Sequence, residues 1–205
     1  MSSRIELVFP TYLYSGKFPS AGRFNRELAR EIVALEKIDG PGLIWSRDSY
    51  VGGYSSYASE CKLHLTSPNF AELEKRLRPH MQKFVRKLNW NLVDRKIRMT
   101  TCWVNSMGFA AHHTLHVHPG CALSGVYYVN VPPHSSPFLI EDPRMAQMMS
   151  SPPRKHSAPS REQSFITVKP KAGEFMLFES WMRHEVPPHR SKQRRVSVSF
   201  NYEWI

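Results

Sequence analysis

Hydrophobic positions recur at helical spacing through the first ninety residues, and at every second residue from Ile97 onward. Phe24, Leu28, Ile32, Leu35 and Ile38 follow one another at intervals of four, four, three and three. That stripe predicts an amphipathic helix over 20–38, with Ser20 as its N-cap. A second helix is predicted after Ser67-Pro68, with Phe70, Leu73, Leu77, Met81, Phe84 and Leu88 on one face. Pro79 lies inside it and lacks a backbone donor, so a kink or a split is expected there. Both stripes read as packing faces.

The later alternation places Ile97, Met99, Thr101, Trp103 and Asn105 on one face of a strand, with Arg98, Thr100, Cys102 and Val104 on the other. Further strands are predicted at 122–131, 137–141, 164–169, 174–179 and 195–202. Short strands separated by Pro and Gly point to an antiparallel sandwich or barrel. The expected class is mainly β with N-terminal helices (α+β), in one domain spanning 1–205. Within it, 1–96 forms a helical and mixed part packing on the sheets of 97–205. Residues 143–163 hold four prolines, are rich in serine and show no period. A connection this long is either a functional lid or disordered.

Composition narrows the class. The chain has 205 residues, 41% of them hydrophobic, enough for a folded core. No apolar run approaches the roughly 20 residues of a membrane helix, and MSSRIELVFP, with Glu6 in its apolar stretch, does not read as a signal peptide. Three scattered cysteines fit neither a disulfide framework nor a Cys-rich zinc site, and suit a reducing cytoplasm. The net charge of +11 favours an anionic partner. It is concentrated between Arg144 and Arg195, where eleven Lys and Arg face four Asp and Glu.

Ten histidines are present, four of them in 112–118 (HHTLHVH). On a strand, His116 and His118 would share a face about 7 Å apart along the chain, within reach of one metal ion. A hydrogen-bonded or surface pair fits that spacing equally well. His184 follows the apolar strand Phe175-Met176-Leu177-Phe178 and offers a third ligand from across the sheet. Arg195, Ser197, Ser199 and Asn201 share one face of the last strand, and Val196, Val198 and Phe200 the other. Such a face suits either solvent or an anionic cosubstrate. His112 and His113 are expected outside the ligand set. His64, His80, His134, His156 and His189 read as solvated or structural.

In order, His116-x-His118, Ser124-Gly125-Val126-Tyr127-Tyr128-Val129, Gly173…Phe178-x-Ser180-Trp181…His184-x-Val186-x-Pro188 and Arg195-x-Ser197 resemble the Fe(II)/2-oxoglutarate-dependent oxygenases. The nearest likeness is to a branch of small, mostly bacterial and phage enzymes, and a more distant one is to prolyl hydroxylases. The resemblance covers about residues 97–202. It implies a double-stranded β-helix (a jelly-roll, cupin-like core), Fe(II) as metal and 2-oxoglutarate as cosubstrate. It makes His116 the first iron ligand and His184 the distal histidine. Arg195 would hold the far carboxylate of 2-oxoglutarate, with Tyr128 and Ser197 beside it. Arginine suits that task because its guanidinium meets a carboxylate through two parallel hydrogen bonds.

The family pattern has Asp or Glu where this chain has His118. Either His118 completes a three-histidine site or a carboxylate arrives from elsewhere, Asp142 being the nearest candidate. A neutral third ligand leaves the iron centre one unit more positive, making cosubstrate binding more charge-driven. Trp103, Asn105 and Arg144 are the expected substrate contacts, and the substrate a small molecule or peptide. The expected reaction is a dioxygenase oxidation, most simply a hydroxylation. A cupin-like three-histidine enzyme that ignores 2-oxoglutarate is one competing reading. A basic nucleic-acid-binding domain, for which no recognition motif is present, is another.

Overall fold

The first stripe forms α1, Ala21–Ile38, which buries Phe24, Leu28 and Ile32. Two details differ from expectation. Ser20 adopts a left-handed conformation (φ 50°, ψ 38°) and its side chain makes no cap bond. Ile38 is 81% exposed, because the chain turns at Asp39 into a further helix, α2 (Gly40–Ser49). Asp39 secures that turn: its carboxylate accepts from the Gly42 N–H at 2.9 Å, the Tyr54 hydroxyl at 2.8 Å and the Ser59 hydroxyl at 2.6 Å.

A one-turn helix, α3 (Leu63–Thr66), precedes α4 (Pro68–Leu88), whose first turn is capped by the Ser67 side chain. Helix α4 buries Phe70, Leu73, Leu77, Met81 and Phe84 as the stripe predicts, and runs unbroken through Pro79. Pro79 sits on the solvent side, so the Lys75 carbonyl deprived of a donor can turn to water. The computed structural model describes residues 2–205. None of its helices is long and apolar enough to cross a membrane.

Among the described residues ten strands follow the chain as β1 (Leu13–Lys17), β2 (Gly53–Ser55), β3 (Ile97–Met107), β4 (His113–His116), β5 (Leu123–Asn130), β6 (Phe138–Glu141), β7 (Phe165–Val168), β8 (Glu174–Glu179), β9 (His184–Val186) and β10 (Arg195–Trp204). They form a six-stranded sheet in the order β1-β8-β5-β10-β3-β2 and a four-stranded sheet in the order β4-β9-β6-β7. Neighbouring strands pair antiparallel throughout. Strands β1 and β2 come from the N-terminal part, outside the periodic segments.

The faces of β3 are not those of a simple alternation. Opposite β10, the register passes from Thr101↔Asn201 to Met99↔Tyr202, so Thr100 is an inserted residue. A bulge of one residue exchanges the two faces of a strand. Ile97 and Met99 therefore join Cys102 and Val104 against the helices, while Thr101, Trp103 and Asn105 face the other way.

Two apolar layers result. One lies between the helices and the six-stranded sheet, around Leu28, Phe70, Leu77, Tyr127, Leu177 and Phe200. The other lies between the two sheets, around Val126, Tyr128, Phe138, Ile140, Met176 and Phe178. Gly125, on β5, is required by the first layer, where a Cβ would overlap the Phe200 ring. Gly173 makes the turn into β8 at φ 84°. The connection 143–163 carries two short 3-10 turns, Met145–Met149 and Ser160–Glu162.

Candidate metal centre and cavity

Between the sheets a cavity of about 360 Å³ opens at the end where β4 and β9 pair. His116 and His184 stand directly opposite each other in that pairing, with ring centroids 4.3 Å apart. His118 does not share the strand. Strand β4 ends at His116, and the turn through Gly120 (φ 79°) begins at once. A backbone bond from His118 N–H to the Ser180 carbonyl, 3.0 Å, pins the turn to the loop before β9. Leaving the strand brings the His118 ring to 5.2 Å from that of His116, closer than the strand spacing predicts. One ligand atom from each of His116, His118 and His184 lies within 4.8 Å of the other two.

The hydrogen bonds fix which nitrogens face inward. His184 Nδ1 is 2.8 Å from the Met182 carbonyl oxygen, and His116 Nδ1 is 2.6 Å from that of Thr114. A carbonyl only accepts, so each Nδ1 carries the proton and each Nε2 keeps its lone pair for a ligand. Burial pushes the His184 imidazole down to about 3 and that of His118 down to about 4, each reinforced by His116. Burial and the neighbouring His116 favour the neutral, metal-binding form, and at His184 they outweigh the opposing pull of the Met182 carbonyl. Two imidazole nitrogens about 2.1 Å from a shared first-row ion stand roughly 3.0–3.4 Å apart. The Nε2 atoms of His118 and His184 are 3.2 Å apart, so this donor set fits such an ion.

Arg195, at the start of β10, lines the same cavity and is only 2% exposed. Among the described residues it has no ion pair. Its Nη1 lies 2.8 Å from the Met107 sulfur, its guanidinium 5.1 Å over the Tyr128 ring, and its Nε has no partner. The Tyr128 and Tyr50 hydroxyls are likewise buried without a partner. Burial raises both phenols, Tyr128 to about 12, against the pull of the Arg195 charge. A buried guanidinium without an ion-pair partner is costly, and the two unused hydroxyls within its field are further donors suited to a carboxylate. This end therefore fits a 2-oxoacid dianion as the histidines fit the metal.

The remaining walls are polar on one side and aromatic on another. Asn105 accepts from the Ser55 hydroxyl at 2.8 Å and donates to Ser199 at 3.0 Å. Ser124 donates to Asn201 at 2.8 Å and meets Ser180 at 2.7 Å. Ser197 lines the wall next to Arg195. Trp103 meets Tyr57 edge-on at 5.2 Å, and Tyr57 lies 6.2 Å from Trp45. No carboxylate is among the described lining residues.

Asp142 and Arg144 are not part of this cavity. Arg144 binds Asp142 at 2.7 Å, and both line a different depression beside the N-terminal segment. The carboxylate considered as an alternative to His118 is thus taken by a cation two residues away, and Arg144 does not reach the cavity. No described side chain of 143–163 lines it either. His113, in contrast, does line it, with its ring stacked on Tyr50 at 4.5 Å, yet it stands outside the three-histidine cluster. Trp45, Tyr50, Ser55 and Tyr57 were not apparent from periodicity. They come from α2 and the segment around β2, where only the aromatic content hinted at them.

Residues 101–201 match the sequence model of the family described as "Putative 2OG-Fe(II) oxygenase". No curated protein matches the sequence. Among solved structures, a Pseudomonas putida prolyl-4-hydroxylase superposes with a TM-score of 0.64 at 15% identity, over 94% of this chain and 92% of that one. HygX from Streptomyces hygroscopicus, with nickel and 2-oxoglutarate bound, gives 0.61 at 12% identity over 94% and 83%. The epimerase SnoN, in complex with Fe3+, alpha ketoglutarate and nogalamycin RO, gives 0.64 at 13% over 94% and 79%. These likenesses show the fold, a double-stranded β-helix carrying N-terminal helices. Residues 101–201, the span of the family match, hold the three histidines and Arg195, so this part of the chain is similar to the 2-oxoglutarate–Fe(II) oxygenases.

Proposed function

We propose that this protein is a non-haem Fe(II)- and 2-oxoglutarate-dependent dioxygenase that hydroxylates an organic substrate. His116, His118 and His184 would hold the iron through their inward nitrogens. When bound, Fe(II) supplies open positions for a 2-oxoacid and O2, so that substrate, 2-oxoglutarate and O2 become hydroxylated substrate, succinate and CO2. Arg195 grips the far carboxylate of 2-oxoglutarate, while Tyr128, Tyr50 and Ser197 donate hydrogen bonds to it. The histidine ligands carry no charge, so a dianionic cosubstrate balances the cations of the site more fully than it would beside a carboxylate ligand. Trp103 and Asn105 orient the substrate from the aromatic and amide walls, and the sheets exclude bulk water from the reacting carbon. The absence of a wall carboxylate favours a neutral or anionic group, on a small molecule or a peptide.

The observation that carries this reading is the buried, anion-free Arg195 facing three convergent imidazoles. Its test is anaerobic addition of Fe(II) and 2-oxoglutarate, which should produce a weak visible charge-transfer band that Arg195→Ala abolishes at equal metal content. The three-histidine ligand set also supports a cupin-like reading without 2-oxoglutarate. Metal binding with no band and no response to the Arg195 substitution would establish that alternative instead.

A further inference from the structure

On the helical side of the six-stranded sheet, away from the cavity, α4 and the entry to β3 enclose a groove of about 1000 Å³. Six cations line it: Lys75, Arg78 and Arg86 from α4, and Arg95, Lys96 and Arg98 from the approach to β3 and its first turn of chain. Among the described residues only one carboxylate lines it, Glu74, and Arg78 occupies it at 2.5 Å. The other five cations make no ion pair among the described residues, and all are exposed. Five like charges around one concavity raise each other's energy unless an anion joins them. Nothing in the oxygenase chemistry calls for them.

One aromatic group completes the surface. The Arg95 guanidinium lies 4.8 Å over the Trp204 ring, which remains 47% exposed. An exposed indole beside a cationic groove is the pairing that binds an unpaired base and its phosphates together. A duplex keeps its base faces closed, and a membrane is planar where this surface is concave. We propose that the groove binds single-stranded nucleic acid, with Lys75, Arg86, Arg95, Lys96 and Arg98 on the phosphates and Trp204 under a base. This site is independent of the oxygenase reading.

The test is fluorescence anisotropy with labelled mixed-sequence oligonucleotides of about 15 nucleotides, over about 50–200 mM salt. Log affinity should fall against log salt with a slope of about 3–4, as expected for five phosphates on a single strand. The triple variant Lys75→Glu/Arg86→Glu/Lys96→Glu should lose about tenfold or more in affinity and flatten the slope. The matching Gln triple, which guards against misfolding, should show an intermediate loss and an unchanged melting transition. Trp204→Ala should weaken binding about fivefold or more. A control with the same charge change elsewhere, Lys155→Glu/Lys169→Glu/Lys192→Glu, should stay within about twofold of wild type. The proposal is overturned by an absence of binding at low salt, by equal losses in the two Glu triples, or by duplex DNA or anionic phospholipid vesicles binding as tightly as single strands.

Discussion

Val198 and Phe200 alternate along β10 with Ser197, Ser199 and Asn201, yet the two sets lie in opposite environments. The first set closes against the helices in a layer of hydrocarbon and aromatic rings. The second set, with Arg195, faces the cavity. Orphaned polar atoms occur on both sides. On the helical side Tyr202 Oη and His64 Nδ1 are among them and are neutral, whereas on the cavity side Arg195 Nε belongs to a cation and lies in the neighbourhood of two unused phenols. An unpaired buried charge costs several kcal/mol where an unpaired neutral group costs about 1–3. One face of the sheet is thus built for stability, and the other gives up stability to be ready for a ligand.

The largest effect should come from the proposed metal ligands. Replacing His184 with Ala should lower metal affinity by more than about 100-fold, beyond the loss seen when only a supporting hydrogen bond is removed. Metal analysis after gel filtration measures it directly, and stoichiometric retention of iron would remove His184 from the centre. On the helical face, Leu77→Ala should cost about 2–5 kcal/mol of unfolding free energy in urea, while leaving 2-oxoglutarate affinity of the folded protein unchanged. An equal loss of both would mean that the two faces are not separable.

Arg195→Met sharpens the contrast, because its two effects should have opposite signs. Loss of a charge-assisted pair should weaken 2-oxoglutarate binding by roughly 10–100-fold. The ligand-free protein should nevertheless melt higher, since the variant removes an uncompensated charge from a buried site. Each kcal/mol gained corresponds to about 2–4 °C at this chain length. A lower melting point would show that Arg195 has a structural partner after all. Tyr50→Phe, which removes only one hydroxyl, should weaken 2-oxoglutarate by about tenfold or less and leave metal content alone. No change in titration calorimetry would confine Tyr50 to packing.

The two faces were also unequally legible in the sequence. Stripes such as Phe70-Leu73-Leu77 announce their helix because apolar periodicity is a local property. The ordered histidines and Arg195 were legible as a motif, since their residue types and order carry the chemistry. The exchange of faces within β3 was not, because the inserted Thr100 is defined only against β10. Helix α2, with the sequence GPGLIWSRDS, lacks both stripe and propensity and depends on the Asp39 side chain. For the same reason Tyr50, at its end, gave no sign of reaching Arg195's neighbourhood. Asp142 was misleading because an ion pair with Arg144, two residues on, satisfies it locally.

The smallest effect tests whether the helical face is as inert as its packing implies. His64 is buried there, with Nε2 3.1 Å from the Met99 carbonyl oxygen, so Nε2 carries the proton. Burial, the leading influence, holds its imidazole below the ordinary value of 6.5. As pH falls through 6.5 the unfolded chain takes up a proton at this position while the folded chain resists, so stability falls with pH. Above that value neither state is protonated and the contribution disappears. His64→Gln keeps an N–H donor for the Met99 carbonyl and removes the titration. Its unfolding free energy should therefore track wild type with a constant offset above pH 7.5. Below about pH 6 it should decline less steeply, by at most about 1.4 kcal/mol per pH unit. Parallel urea titrations measure that difference in slope. Identical slopes would mean that His64 protonates as easily inside the fold as outside it.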